Sequence, residues 1–270
     1  MTVMRAAALT GAAGGIGRAL AFGLAAQGCD LALADRDAAG LEAVAITLRT
    51  THKVAVSVHP LDVADQQAVK AFAAAAVAAH PALNVLINNA GVTLLGTLAE
   101  IDLADFEWLM RVNFWGTVWG CHSFLPHLRA QPDAHIVNLS SVFGLIAPPG
   151  QAAYAASKFA VRGYTEALRH ETAGTTLKVT CVHPGGVRTD IARNARAAAA
   201  LSNQRAAIED RFARMARTAP ETAAARIIRG IVANEPRILI GPDARFIDRL
   251  QRWMPVRYWH IMGRLMGRAA

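Results

Sequence analysis

The chain has 270 residues, 53% of them hydrophobic and 18% charged, and this composition excludes a wholly disordered protein. A formal net charge of +8 and a pI of about 10.1 would permit binding to nucleic acid. The arginines are scattered, however, and no lysine-rich or aromatic-interleaved basic repeat occurs, so we expect one globular domain and no nucleic-acid partner.

Short apolar runs alternate along the chain with longer alanine-rich segments, as strands alternate with crossover helices. The predicted strands are residues 6–10, 31–34, 54–58, 85–88, 136–139, 179–182 and 237–240. The predicted helices are residues 18–27, 38–49, 65–79, 103–128, 152–171 and 221–232. This alternation predicts an α/β protein with a Rossmann-type, doubly wound parallel sheet in a three-layer α/β/α arrangement.

A glycine-rich segment, TGAAGGIG at residues 10–17, joins the first predicted strand to the first helix. Glycines leave the backbone amides open to a phosphate, and the helix N-terminus adds positive potential. By itself such a segment is also compatible with an ordinary turn. The residues we expect at a dinucleotide on this ground are Gly11, Gly14, Gly15, Ile16 and Gly17.

The end of the second predicted strand carries Asp35, about twenty residues after the glycines. A carboxylate there can accept hydrogen bonds from the adenosine ribose and would repel a 2′-phosphate. The neighbouring Arg36 could instead pair with that phosphate. We therefore expect NAD to be the preferred cofactor, with NADP possible.

Tyr154 and Lys158 are four residues apart in a predicted helix, so their side chains share a face. A nearby ammonium favours the phenolate and would lower the pKa of tyrosine from its usual value of about 10. Such a pair suits general acid/base catalysis, although the same spacing is common on exposed helices without function.

Further motifs occur in a fixed order: LDV at 61–63, NNAG at 88–91, Asn113, Ser140-Ser141 and PGGVRT at 184–189. Together with the glycine-rich segment and the Tyr154/Lys158 pair, they resemble the short-chain dehydrogenase/reductase family over roughly the first 190 residues. The resemblance implies an NAD(P)-dependent oxidoreductase that transfers hydride between the nicotinamide and a carbonyl or a secondary alcohol.

The resemblance also implies four catalytic residues: Asn113, Ser141, Tyr154 and Lys158. Tyr154 would exchange the proton with the substrate oxygen, and Ser141 would donate a hydrogen bond to that oxygen where charge develops. Lys158 would hold the nicotinamide ribose and bias the tyrosine, and Asn113 would hold a water that links Lys158 to solvent.

Other positions are expected, by the same resemblance, to contact the cofactor. Asp62 and Val63 should border the adenine, and Val187 and Thr189 should contact the carboxamide. The remaining cleft residues expected from these motifs are Asn89, Ala90, Gly91, Pro184 and Gly185. Asn88 is interpreted as a brace for the sheet and is not assigned to the site.

Two other functions stay open on the sequence. A hydrolase could use Ser141 as nucleophile with His183 and Asp190, but the serine lacks the Gly-x-Ser-x-Gly elbow. A non-catalytic dinucleotide-sensing protein would keep the glycine-rich segment but could lose the acid/base residues, which this chain retains. Binding of NADH without turnover would favour the sensor, and esterase activity without cofactor would favour the hydrolase.

The three cysteines, Cys29, Cys121 and Cys181, stand far apart and lack the spacing of zinc ligands. They predict reduced thiols in a cytoplasmic protein and no metal site. The uncharged stretch 71–99 contains Pro81 and several asparagines, so no transmembrane span is expected.

We expect residues 1–242 to form the dinucleotide-binding and catalytic domain. Within it, residues 191–217 are expected to be helical, to be loosely anchored and to form a substrate lid. Residues 243–270 are expected to form a basic amphipathic extension. Its apolar residues at helical spacing are Phe246, Ile247, Leu250, Trp253 and Met254, then Tyr258, Trp259, Ile261, Met262, Leu265 and Met266. This ending loosely resembles family members that act on steroids, retinoids or other lipid-like alcohols. It predicts a hydrophobic substrate and either peripheral membrane contact or packing between subunits of a homodimer or homotetramer.

Overall fold

A computed structural model of the protein describes residues 2–198, 200–201 and 205–265. Its strands are β1 Ala6–Thr10, β2 Asp30–Asp35, β3 Val56–Pro60, β4 Leu83–Asn88, β5 Leu94–Leu95, β6 Ala134–Leu139, β7 Leu177–Pro184, β8 Arg196–Ala197 and β9 Arg237–Ile240. Its α-helices are α1 Gly15–Ala25, α2 Ala38–Thr51, α3 Gln66–Ala79, α4 Leu103–Met110, α5 Gly116–Arg129, α6 Ala152–Glu171, α7 Arg205–Met215, α8 Pro220–Val232, α9 Pro242–Trp253 and α10 Tyr258–Leu265.

Seven of these strands form one sheet in the order β3-β2-β1-β4-β6-β7-β9, and each neighbouring pair is parallel. The chain moves outward from β1 in one direction and then resumes from β4 in the other. Open α/β sheets bind ligands at this switch point, beyond the carboxyl ends of the strands. The predicted Rossmann-type, doubly wound fold is confirmed.

Side chains of alternate strand residues enter two separate cores, as the period of two in a strand requires. In β1, Ala7 and Leu9 pack with α1, α2 and α8, whereas Ala6 and Ala8 pack with α3, α5 and α6. The sheet is therefore covered by helices on both faces, which explains why its strands are uniformly apolar.

The segment predicted as one helix at 103–128 is divided in the structure. A π turn at Arg111–Trp115 separates α4 from α5. A π turn inserts one extra residue into a helix and frequently marks a functional site. Asn113 stands at its centre and is fully buried, so the irregularity directs a polar side chain into the protein.

The segment 191–217 is helical only in its second part, as α7, so the expected helix is wrong for its beginning. There β8 pairs in parallel with β5. Arg196 forms an ion pair with Asp105 at 2.6 Å and lies over the ring of Trp108 at 3.7 Å. The start of the segment is thus attached to the body of the protein, contrary to the expected loose anchoring, and residues 199 and 202–204 lie outside the described part.

The C-terminal extension forms α9 and α10, which pack on the edge of the sheet. Buried Ala244 and Ile247 contact Val142 and Ile146 beside the candidate site. Asp248 is buried and pairs with Arg237 of β9 at 3.1 Å. Of the predicted apolar residues, the side chain of Leu265 and the whole of Met266 lie outside the part of the chain that the structure describes.

The predicted apolar face of α9 is divided between two environments. Ile247 is buried, whereas Phe246 is 49% exposed and Trp253 is 87% exposed. Helical spacing alone could not separate the covered residues from the uncovered ones. Within the described residues, every helix is too short or too polar to cross a bilayer.

Candidate active site

The glycine-rich segment forms the turn between β1 and α1. Gly11 and Gly15 adopt φ of +67° and +53°, a region that side chains rarely occupy. A Cβ at Gly17 would lie 1.9 Å from the carbonyl oxygen of Gly11, so the helix can approach the turn only with glycine there. A Cβ at Gly14 would have no neighbouring atom within 4 Å, so this side of the turn is open to a ligand.

This geometry fits the phosphates of a dinucleotide, because exposed backbone amides meet a helix N-terminus at an open cleft. Gly11, Gly14, Gly15 and Ile16 line that cleft. Gly17 does not line it, and its part is to allow the close contact between helix and turn.

Acidic side chains at the ends of neighbouring strands lie at one side of the cleft. Asp35 ends β2, and its carboxylate accepts hydrogen bonds from the backbone N–H of Ala13 at 2.9 Å and of Asp37 at 3.1 Å. Arg36 is exposed beside it, and Asp62 and Val63 follow β3 along the same wall. The predicted adenosine-side residues are therefore together in space.

The segment 89–91 is fixed to the glycine turn by partly buried hydrogen bonds. The side-chain amide nitrogen of Asn89 donates to the carbonyl oxygens of Thr10 and Gly11 at 2.9 and 3.1 Å. The hydroxyl of Thr10 accepts from the N–H groups of Asn89 and Ala90. Thr10 was not among the predicted site residues, although its position at the end of β1 was a usable signal.

Two buried asparagines differ in what they contact. Asn88 donates to Asn138 at 2.8 Å inside the sheet, as its interpretation as a brace requires. Asn113 donates to Val92 at 2.9 Å and to Ser157 at 3.0 Å, and accepts from the Val92 N–H at 2.8 Å. Its side chain is thereby linked through Ser157, a residue absent from the predictions, to the helix that carries Tyr154. A water held by Asn113 stays a prediction.

Tyr154, Ser141 and Lys158 meet in the centre of the cleft. The hydroxyl of Ser141 accepts from the Phe143 N–H at 3.1 Å, at the start of a 3₁₀ turn. The Lys158 ammonium is buried, donates to the carbonyl oxygen of Leu139 at 3.0 Å and lies 5.7 Å from the centre of the Tyr154 ring. All three line the same cavity.

The electrostatics of this group are set by burial. Loss of contact with water raises the pKa of Tyr154 above its usual value, and a hydrogen bond with Ser141 opposes the rise. Burial also lowers the pKa of Lys158 to about 8. The direction of the shift is opposite to the lowering expected from the Lys158 ammonium, because burial of the phenol is its main cause.

Gly91 occupies the space between two of these polar groups. A Cβ there would lie 3.3 Å from both the amide oxygen of Asn113 and the ammonium of Lys158. A side chain at this position would therefore press on both groups.

The loop after β7 forms the opposite wall of the cleft, where Pro184, Gly185, Val187 and Thr189 all line the cavity. Asp243, at the start of α9, accepts a hydrogen bond from the Gly186 N–H at 2.7 Å. No local sequence pattern indicates this contact, because the two residues are 57 positions apart.

The same cavity also has an extensive apolar lining away from the glycine turn. Its volume is about 1720 Å³, including the glycine turn at one end. The apolar residues at the other end are Val142, Phe143, Ile146, Phe246, Ile247, Trp259 and Met262. The segment 191–217 adds Ile191, Leu201, Phe212 and Met215, so both the expected lid and the extension contribute to this wall.

The residues of the hydrolase alternative do not form a triad. His183 is buried and its ring contacts the backbone carbonyl oxygen of Ser141 at 3.1 Å, not the hydroxyl. Burial lowers the pKa of His183 to about 4. Asp190 is exposed and pairs with Arg193. Neither His183 nor Asp190 is therefore placed to act as the base for a Ser141 nucleophile.

Comparison with known proteins agrees with this arrangement. The profile of the family described as short chain dehydrogenase matches residues 5–200. The protein is 45% identical over 96% of its length to SadH of Mycobacterium tuberculosis, named as an oxidoreductase, and covers 94% of that protein. It is 31% identical over 95% of its length to a Drosophila melanogaster protein named dehydrogenase/reductase SDR family protein 7-like, and covers 78% of it.

Among solved structures, a short-chain dehydrogenase/reductase from Burkholderia phymatum in complex with NAD superimposes with a TM-score of 0.86. Its sequence is 32% identical, over 93% of this chain and 94% of that one. The fold and site thus define a dinucleotide-binding oxidoreductase. The chain belongs to the short-chain dehydrogenase/reductase family and is an NAD(P)-dependent oxidoreductase of that family.

Proposed function

We propose that the protein interconverts a carbonyl and a secondary alcohol on a hydrophobic substrate, with Tyr154 as the proton-transferring residue. The observation that carries the proposal is the position of Tyr154 between Ser141 and the buried Lys158. This group lines the same cavity as the glycine turn and the apolar residues of the C-terminal helices. A reduced nicotinamide dinucleotide, when bound, supplies the hydride.

In the direction of reduction, Tyr154 gives its phenolic proton to the substrate oxygen while the carbonyl carbon accepts the hydride. A tyrosine with its usual pKa of about 10 is protonated at neutral pH, and burial raises the pKa of Tyr154 further, so the phenol can act as a general acid. Ser141 donates a hydrogen bond to the oxygen as negative charge develops on it. In oxidation the same tyrosine, as phenolate, takes the proton of the alcohol.

Lys158 and Asn113 act through their positions in this scheme. The ammonium of Lys158 would hold the nicotinamide ribose and stabilise the phenolate that remains after proton transfer. Asn113 fixes Val92 and Ser157, and through Ser157 the first turn of α6. These contacts tie the helix that carries Tyr154 to the segments that surround the cavity.

NAD is the proposed cofactor, because Asp35 ends β2 and lines the cavity with the glycine turn, and a carboxylate there can accept hydrogen bonds from the adenosine ribose. The relative from Burkholderia phymatum was crystallised with NAD. Arg36 is exposed and adjacent, so NADP is proposed to bind more weakly but not to be excluded.

A panel of aliphatic, aromatic and steroid ketones and alcohols, followed by reduced-nicotinamide absorbance with NAD and NADP in parallel, tests the proposal. We expect turnover, a higher kcat/KM with NAD and a preference for bulky apolar substrates. Stoichiometric NADH binding with no turnover of any compound would overturn it in favour of the dinucleotide-sensing alternative.

A further inference from the structure

The turn between α9 and α10 is an exposed apolar surface. It comprises residues 253–256, Trp-Met-Pro-Val, and is called here the tail knuckle. Trp253 is 87% exposed and Val256 is 84% exposed. Neither residue lines the cavity. A tryptophan and a valine so fully in water are a cost to a monomer unless something else covers them.

Arginines surround the tail knuckle. Arg245, Arg249 and Arg252 lie at spacings of three, four and seven on the outer side of α9, and Arg257 follows the knuckle directly. All four are exposed. Arg249 and Arg257 form no ion pair within the described residues. Arg252 pairs with Asp248, so Arg245, Arg249 and Arg257 leave a net positive charge around the apolar turn.

The acidic residues of the described extension are directed toward the protein. Asp243 accepts from the Gly186 N–H, and the buried Asp248 pairs with Arg237 and Arg252. They fix the extension on the sheet and leave its outer side basic. This orientation holds the knuckle away from the body of the molecule.

We propose that the described extension, residues 242–265, docks the protein on the surface of an anionic phospholipid bilayer. Tryptophan favours the boundary between headgroups and acyl chains, and arginine pairs with lipid phosphates. An apolar turn flanked by arginines satisfies both preferences at once. The contact is peripheral, because no helix within the described residues could cross the bilayer.

The position of the cavity gives this contact a consequence. Phe246, Trp259 and Met262 belong to the same two helices and line the apolar end of the cavity. A substrate dissolved in the bilayer could then reach the site from the docked side. This consequence rests on the proposed function, whereas the docking itself does not.

Flotation of the full-length protein with vesicles tests the docking. We expect binding to vesicles of equal parts phosphatidylcholine and phosphatidylglycerol, weak binding to phosphatidylcholine alone, and loss of binding at high salt. The double variant Trp253→Ser/Val256→Ser should bind about tenfold or more weakly. A matched variant, Val3→Ser/Ile46→Ser, removes two exposed apolar residues elsewhere and should bind like the wild type.

The charges are tested separately by Arg249→Gln/Arg257→Gln, which should weaken binding to the mixed vesicles by about fivefold per arginine. Turnover of a small soluble substrate should be unchanged in both tail variants, so failure of docking and failure of the proposed function are distinguishable. Equal flotation of wild type and the Trp253/Val256 variant would overturn the proposal. A second outcome would also overturn it: the wild type does not bind vesicles, and the Trp253/Val256 variant sediments as a smaller species than the wild type. A second copy of the chain would then cover the tail knuckle.

Discussion

The two ends of the cavity are built by different means. The dinucleotide end is made of backbone amides, glycines without side chains, and hydrogen bonds such as those of the Asn89 side chain to the carbonyl oxygens of Thr10 and Gly11. The substrate end is made of apolar side chains that come from loops and from the C-terminal helices. We expect the dinucleotide end to tolerate few substitutions. We expect single substitutions at the substrate end to change the shape of the cavity locally.

This contrast indicates where cofactor and substrate selection lie. Hydrogen-bonded backbone has one arrangement, so a substitution there should disturb folding and cofactor affinity together. Apolar contacts lose affinity in proportion to the surface removed, so a substitution there should change the ranking of substrates.

Gly17→Ala should give the largest change at the dinucleotide end, because its Cβ would collide with the backbone of Gly11. We expect the free energy of unfolding to fall by about 1–3 kcal/mol and NADH affinity to fall with it. A Cβ at Gly163, in α6, would have nothing within 4 Å, so this position is the matched control. Gly163→Ala should be neutral or stabilise by up to about 1 kcal/mol. Urea denaturation and NADH fluorescence check both, and equal behaviour of the two variants would contradict the contrast.

Asp35→Ala should give the next largest effect. We expect the ratio of kcat/KM for NAD to kcat/KM for NADP to fall by about tenfold. The variant loses the ribose hydrogen bonds and the repulsion of a 2′-phosphate. Asp65→Ala is the control, since the Asp65 carboxylate caps α3 by accepting from Gln67 and Ala68 and does not line the cavity. A wild type that already prefers NADP would show that Asp35 is not the selecting residue.

Phe246→Ala should give the smallest effect and confine it to the substrate. We expect KM to rise about fivefold for bulky apolar ketones and little for small ones, because about 1 kcal/mol of apolar contact is removed. Leu98 is 75% exposed and does not line the cavity, so Leu98→Ala is the control. An equal rise in KM for all substrates would show that Phe246 does not select substrates by size.

The same contrast explains what could be predicted from the sequence. The glycine turn and the Tyr154/Lys158 pair are local patterns, so their elements and positions followed from spacing and resemblance. The pairing of β5 with β8 and the contact of Asp243 with Gly186 join distant parts of the chain and leave no local pattern. Helical spacing also could not tell that Ile247 is buried and Trp253 exposed.

The pKa of Tyr154 could not be predicted for a related reason. The spacing of the motif places the ammonium of Lys158 nearby but carries no measure of how far the phenol is removed from water. In the structure that removal is the main cause of the shift and raises the pKa.

Tyr154→Phe is the decisive variant for the assignment of the acid/base, because it removes the proton and leaves the ring. NADH binding and single-turnover ketone reduction should be measured on the same sample, with Tyr164→Phe as a control that removes a phenol outside the cavity. We predict NADH affinity close to that of the wild type, turnover lower by about 10²-fold or more, and near wild-type turnover in the control. Turnover near the wild-type rate in Tyr154→Phe would contradict the assignment of this residue as the acid/base.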